Sequence, residues 1–141
     1  MDLEWKESIL DAFAIGAEQV ITQEETAETI VPDYCPDIAR IIDGEGRVFL
    51  HRREVSGGRA EVSGVVRVTL LYVPEGEGGI RSLVFSLPFR AQAEGMGDAA
   101  CLLAEAELES LENRLTNPRK VFTRCRLTVR LRPCRPAPLR F

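Results

Sequence analysis

The residue types able to do chemistry are few and scattered. Asp33, Asp37 and Asp43 bring three carboxylates into one short segment, the kind of set that can hold a divalent cation or divide acid and base roles. Their spacing matches no Ca²⁺ loop. Pro32, Pro36 and Gly44 punctuate the same segment, so each carboxylate has a turn or a helix start to cap. His51 is the only histidine and stands in the run His51-Arg52-Arg53-Glu54, which reads as a solvated strand position rather than a general base. No G-x-S-x-G or H-E-x-x-H accompanies it. The Pro74–Gly79 run, P-E-G-E-G-G, has the glycines of a phosphate cradle, but no G-K-[ST] follows, so it is expected to be a hairpin connection. The expectation is a chain with no catalytic residues, no cofactor and no metal.

Four cysteines, Cys35, Cys101, Cys125 and Cys134, are widely spaced, without a C-x-x-C pair, and a zinc site is not expected. Free, partly buried thiols in a reducing compartment are the expectation. Cys101 and Cys134 nonetheless fall near the open end of the hairpin described next, where a bond between them is sterically conceivable.

That hairpin is the element the rest is organised around. From Lys120 to Leu131, Val121, Thr123, Cys125, Leu127, Val129 and Leu131 alternate with Phe122, Arg124, Arg126, Thr128 and Arg130, a two-residue period that puts an apolar face and an arginine face on one strand. Upstream, Cys101 to Leu115 is rich in Ala, Glu and Leu, with Ala104, Leu108, Leu111 and Leu115 at helical spacing. Pairing favours a strand. With Asn117 and Pro118 at the tip, antiparallel register sets Glu105 opposite Arg130, Glu109 opposite Arg126, Leu108 opposite Leu127, Ala106 opposite Val129 and Ala104 opposite Leu131. Each such pair contributes about 0.2 to 1 kcal/mol, and a lone helix offers the arginines no such partners. Glu105, Glu109, Arg124, Arg126 and Arg130 are therefore the candidate interaction residues on this ribbon, with Trp5, near the N-terminus, as a core anchor or a peg into a neighbouring molecule.

At 141 residues the chain is long enough for a self-sufficient core. No apolar run approaches the roughly 20 residues of a membrane span, and the first residues carry acids where a secretory signal carries bases, so a cytoplasmic location is expected. The net charge of −4 is unevenly placed: residues 1–47 hold 12 acids and 3 bases, residues 112–141 hold 9 bases and one acid. Such polarity favours internal pairing or head-to-tail contact between copies. Nucleic acid is not the expected partner, because Phe122 is the one aromatic residue interleaved with the arginines of 120–132 for stacking.

Along the chain, residues 3–15 read as a short helix ending at Gly16 or as an opening strand, and 18–31 as an exposed or edge strand. Ile38, Ile41 and Ile42 fall at i, i+3, i+4, which suggests one helical turn closed by Gly44. Strands follow at 47–55, at 60–73 with Gly64 as a bulge or close backbone approach, and at 80–89 with Pro88 marking an edge. Residues 91–99 read as a loop. The expected fold is mainly β, an antiparallel β-sandwich or open barrel with one or two short helices.

Four pieces in order, Val31-Pro32-Asp33 with Pro36-Asp37-Ile38, the run from Gly64 to Leu71-Tyr72, Leu87-Pro88-Phe89, and Asn117 with Arg119-Lys120, resemble the SPOCS domain family of SipL-type spore coat morphogenetic proteins. The resemblance divides the chain into an N-terminal arm or short helix (1–17), a SPOCS-like β domain (18–132) and a Pro-rich tail (133–141). It implies a non-enzymatic structural or protein-interaction module of the spore coat or envelope, acting in the mother cell at the forespore surface, with other spore-coat or morphogenetic proteins as partners and as a homo-oligomer; exposed strand edges and the charged surfaces are the expected means of assembly. SipL-type proteins also carry a LysM segment, which this sequence does not show. The alternative is a β domain that binds a small ligand or a cell-wall glycan, for which Trp5, Tyr34 and Tyr72 are the only Trp or Tyr side chains.

Overall fold

The computed structural model describes residues 13–136, which form seven strands: β1 (Phe13–Ile15), β2 (Gln19–Ile30), β3 (Ile38–Ser56), β4 (Arg59–Pro74), β5 (Arg81–Ala93), β6 (Cys101–Asn117) and β7 (Lys120–Pro136). They make two antiparallel sheets. In one, β7 is central, with β6 along one side and β1 and β2 along the other; in the second the order is β3-β4-β5. This is the sandwich expected from the alternating runs. Trp5 lies outside the described residues, and of the opening segment the described part, Phe13–Ile15, is strand. Among the described residues no helix is long and apolar enough to cross a membrane.

The core follows from the period-two pattern. Val62, Val66, Val68, Leu70 and Tyr72 on β4 are fully buried, and so are Val121, Cys125, Leu127, Val129 and Leu131 on β7. Burying each of the larger side chains is worth about 1.5–3 kcal/mol. Thr123, the polar member of the β7 set, is also buried, and its hydroxyl is satisfied by donating to Asn113 Oδ1 at 2.7 Å.

The helical turn expected over Ile38, Ile41 and Ile42 is overturned: these residues open β3, and no helix occurs among the described residues. The register of β3 against β4 slips between Ile38 and Arg40 and again between Ile41 and Asp43. Each slip inserts an unpaired residue, so the core-facing positions fall at Ile38, Ile41 and Gly44 rather than at every second residue. A third slip, between Leu50 and Arg52, lies opposite Gly64 and Ser63. A Cβ on Gly64 would press into the Phe49 carbonyl oxygen, which is the close backbone approach the sequence indicated.

The two sheets meet along two seams. On one, β3 and β6 lie side by side, and a Cβ on Gly46 would stand only 2.7 Å from Leu108 Cδ2, so glycine lets the β6 side chains reach the core. On the other, Gln19 Nε2 on β2 donates to the Glu94 carbonyl at 2.8 Å and Gln23 Nε2 donates to the Arg90 carbonyl of β5 at 3.0 Å. Two side-chain amides thereby bridge edges that no backbone ladder joins, and β2 and β6 each face a strand of the other sheet.

Cys101 and Cys134 are opposite one another in the β6–β7 register and form a disulfide, correcting the expectation of four free thiols. The hairpin that places them in register is what brings the sulfurs together. Cys35 and Cys125 are free, the latter buried.

Candidate functional site

The arginine stripe of β7 lies on the outer face of its sheet, as its alternation required. Glu105 stands opposite Arg130 and Leu108 opposite Leu127, as do the alanine pairs. The expected Glu109–Arg126 pair is not formed. The register slips between Leu108 and Ser110, which leaves Glu109 in a bulge and sets Ser110 opposite Arg126. The ion pairs differ from the register pairs too: Arg130 Nη1 donates to Glu107 Oε2 at 3.1 Å, and this bond is the main reason the Arg130 pKa is raised.

The stripe is neutralised from both sides. From β2, Glu24 reaches Arg124 at 3.6 Å and Glu28 reaches Lys120 at 3.4 Å; Glu18, just ahead of that strand, lies 3.2 Å from Arg132; from β6, Glu112 lies 3.9 Å from Arg124. The contribution of β2 was not read from the sequence, because nothing in Glu18 to Ile30 says which strand it will border. Arg124, Arg126, Arg130, Glu105 and Glu109 thus share one face, and among the described residues Arg126, Glu105 and Glu109 have no ion pair within 4.0 Å.

A second cluster is built at the end of the sandwich where three connections converge: residues 31–37 between β2 and β3, residues 75–80 between β4 and β5, and the Pro118-Arg119 turn between β6 and β7. Asn117 Oδ1 accepts a bond from the Arg119 backbone N–H at 2.8 Å, an Asx-type closure of the turn. This aims the Arg119 guanidinium at the 31–37 connection. There it donates to four oxygens: the carbonyls of Val31 (3.0 Å), Pro32 (2.7 Å) and Cys35 (2.8 Å), and Asp37 Oδ1 (2.9 Å). A planar fork of donors suits such a ring of acceptors in a way that a lysine ammonium does not. Backbone bonds complete the clasp: Val31 N–H to Arg119 C=O at 2.9 Å, Ile38 N–H to Pro118 C=O at 2.9 Å, and Glu75 N–H to Asp37 C=O at 2.8 Å.

Under the clasp lies a small core of Val31, Ile38, Leu70, Tyr72, Leu83 and Val121. Tyr72 is part of it, so its ring is no ligand platform, and its buried hydroxyl has no hydrogen-bond partner. Burial, with a smaller effect of Cys35, raises the Tyr72 pKa. The three most exposed large apolar side chains of the described residues are Tyr34, in the 31–37 connection, at 87%, Ile30, at the end of β2, at 69%, and Ile80, in the 75–80 connection, at 62%.

The carboxylates that opened the sequence reading are dispersed by this arrangement. Asp37 is held by Arg119, Asp43 Oδ1 accepts from the Gly44 N–H at 2.9 Å, and Asp33 is exposed. No three metal-ligating side chains cluster among the described residues. Sequence reasoning singled out Val31-Pro32-Asp33 and Asn117 with Arg119-Lys120 as motif pieces, but it did not find that the two bond to each other.

No curated protein and no solved structure matches the chain. A family description does: SipL, SPOCS domain, over residues 37–116, from the aspartate that Arg119 holds to the last residue but one of β6. With more than half of its length inside that match, the chain belongs to the SipL SPOCS-domain family.

Proposed function

We propose that this chain is a non-enzymatic protein-interaction module of the spore coat or envelope, working in the mother cell at the forespore surface, where its partners are other coat or morphogenetic proteins. Membership of the SPOCS family points to a sporulation-related module, and one structural observation carries the reading further. Arg119 spends its four hydrogen bonds on fixing the 31–37 connection, from which Tyr34 projects into solvent. Loops held rigidly at one end of a sandwich are a usual place for binding residues, and a preorganised aromatic anchor loses little freedom on contact. The strand edges are less suited to pairing with another chain, since β2 faces β5 and β3 faces β6. The charged outer face of β6 and β7 offers secondary contacts through Glu105, Glu109 and Arg126.

A fluorescent fusion expressed during sporulation tests the proposal. It should collect at the forespore surface while the coat assembles, and Tyr34→Ser should disperse it without lowering its folding stability. Even fluorescence throughout the mother cell for the unmodified chain would overturn the proposal.

A further inference from the structure

We infer that Cys35 is a site of reversible oxidation by small hydroperoxides, at which the sulfur takes up one oxygen and the Tyr72 hydroxyl holds the resulting sulfenic acid. The inference does not depend on the spore-coat reading.

Of the four cysteines, the fold leaves one open to a reagent. Cys101 and Cys134 are joined to each other, and Cys125 is fully buried in the main core between the sheets. Cys35 is free and only half-buried. Access governs thiol oxidation along with ionisation, so an oxidant reaches Cys35 first. Its backbone is fixed on both sides: the Cys35 N–H donates to the Pro32 carbonyl at 2.9 Å, and the Cys35 carbonyl accepts from Arg119 Nη1 at 2.8 Å. The sulfur is therefore carried at a set place.

Exposure alone would make Cys35 an ordinary surface thiol. Tyr72 sets it apart. The ring is fully buried, and its hydroxyl is the one buried side-chain polar atom of the described residues without a hydrogen-bond partner, an arrangement that costs stability until an acceptor completes it. Cys35 packs against the same small core, and after burial it is the strongest influence on that hydroxyl, so the two groups face each other. A thiol sulfur is a weak acceptor. An oxygen bonded to that sulfur is a strong one, placed beside a donor that has nothing else to bond.

In the forward step the sulfur attacks one oxygen of the peroxide: an S–O bond forms, the O–O bond breaks, the sulfur loses two electrons and the peroxide gains them. The proton given up by the thiol joins the departing oxygen, which leaves as water or an alcohol. Reversal takes two equivalents of an external thiol. The first displaces the hydroxyl as water and leaves a mixed disulfide; the second frees Cys35 and departs with the first as their own disulfide. No cysteine of the same chain can take the first role, since Cys125 lies in the main core and the remaining pair is bonded at the far end of β6 and β7.

Hydrogen peroxide followed by dimedone, which alkylates sulfenic acids, tests this on the full chain, with the adduct located by peptide mass spectrometry. One adduct should form, at Cys35, and Cys125 should stay unlabelled while the chain is folded. When dimedone is withheld for increasing times after the peroxide is removed, with free cysteine at fixed concentration as the external thiol, the sulfenic acid should decay about fivefold faster in Tyr72→Phe than in the unmodified chain, the factor expected for loss of one hydrogen bond. A second readout leaves position 72 intact. Oxidation should move the tyrosine absorbance to longer wavelength in Tyr34→Phe, where Tyr72 is the only tyrosine left, and adding Cys35→Ser to that variant should abolish the shift. No adduct at Cys35, or labelling of Cys125 in the folded chain as fast as Cys35, overturns the inference. Equal decay in a folded Tyr72→Phe overturns it too, and an unshifted absorbance in oxidised Tyr34→Phe does so even where Tyr72→Phe fails to fold.

Discussion

Arg119 Nη1 stands 2.9 Å from Asp37 Oδ1, across 82 positions of sequence, and the same guanidinium donates to the carbonyls of Val31, Pro32 and Cys35, of which Pro32 also accepts the Cys35 N–H at 2.9 Å. The carboxylate is the lesser part of this contact. Half-exposed ion pairs are worth little, whereas carbonyls at a tight connection that lose a charged donor pay a desolvation cost. Arg119→Ala should therefore destabilise the chain by about 2–4 kcal/mol and Asp37→Asn by about 1 kcal/mol or less. Arg119→Lys should recover only a small part, because one ammonium cannot face four acceptors. Urea unfolding of the three variants measures this, and equal losses for Arg119→Ala and Asp37→Asn would show that the ion pair, not the carbonyl cap, holds the connections.

The bulge at Glu109 makes a separate prediction about the arginine stripe. Double-mutant cycles should give a resolvable coupling for Glu107 with Arg130, which share a 3.1 Å hydrogen bond, and none for Glu109 with Arg126, which the register slip separates. The uninterrupted register read from the sequence would instead couple Glu109 with Arg126. The coupling should also shrink as salt is added, since both partners are solvent-exposed.

That difference shows what a sequence pattern can carry. The alternation of β7 was legible because its inward positions, Val121 to Leu131, are apolar except for Thr123, and the register from Ala104 to Leu108 followed from complementary pairs. Glu105, Glu107 and Glu109 are equally spaced and equally charged, so nothing in them marks which one leaves the ladder. In β3 the misreading ran the other way: two bulges moved the buried positions to every third residue, a spacing that a helix also produces. The clasp was legible only as two separate motifs. A guanidinium that donates to carbonyls leaves no trace in the identity of the residues that supply them, and Asp37 alone was a weak pointer to a partner 82 positions away.

The Cys101–Cys134 bond closes a loop spanning 33 positions, and in the chain-entropy account a loop of that size contributes about 3–4 kcal/mol. Reduction should lower the urea midpoint accordingly and leave the strands in place. Thiol counting provides a direct check. Without reductant, the denatured chain should present two reactive thiols, Cys35 and Cys125, and with reductant four. Four thiols without reductant would mean that the bond does not form in the protein as prepared.

Alkaline pH should weaken the fold through two buried groups. Burial raises the Cys125 thiol above its ordinary value of 9.0 and the Tyr72 hydroxyl above 10.0. In each case the folded chain keeps a proton that the unfolded chain gives up, so stability is fully present below the unfolded pKa and is lost as pH climbs past it towards the folded value. The decline should begin near pH 9 with Cys125 and steepen near pH 10 with Tyr72. Tyr72→Phe removes a hydroxyl that has no partner, so it should leave stability at pH 7 unchanged or slightly improved and flatten the upper part of the decline. Cys125→Ala should flatten the lower part while costing stability at every pH, because it leaves a small void between the sheets. Urea midpoints measured from pH 7 to 11 for the three proteins decide this, and identical slopes would show that neither group ionises on unfolding in the way its burial requires.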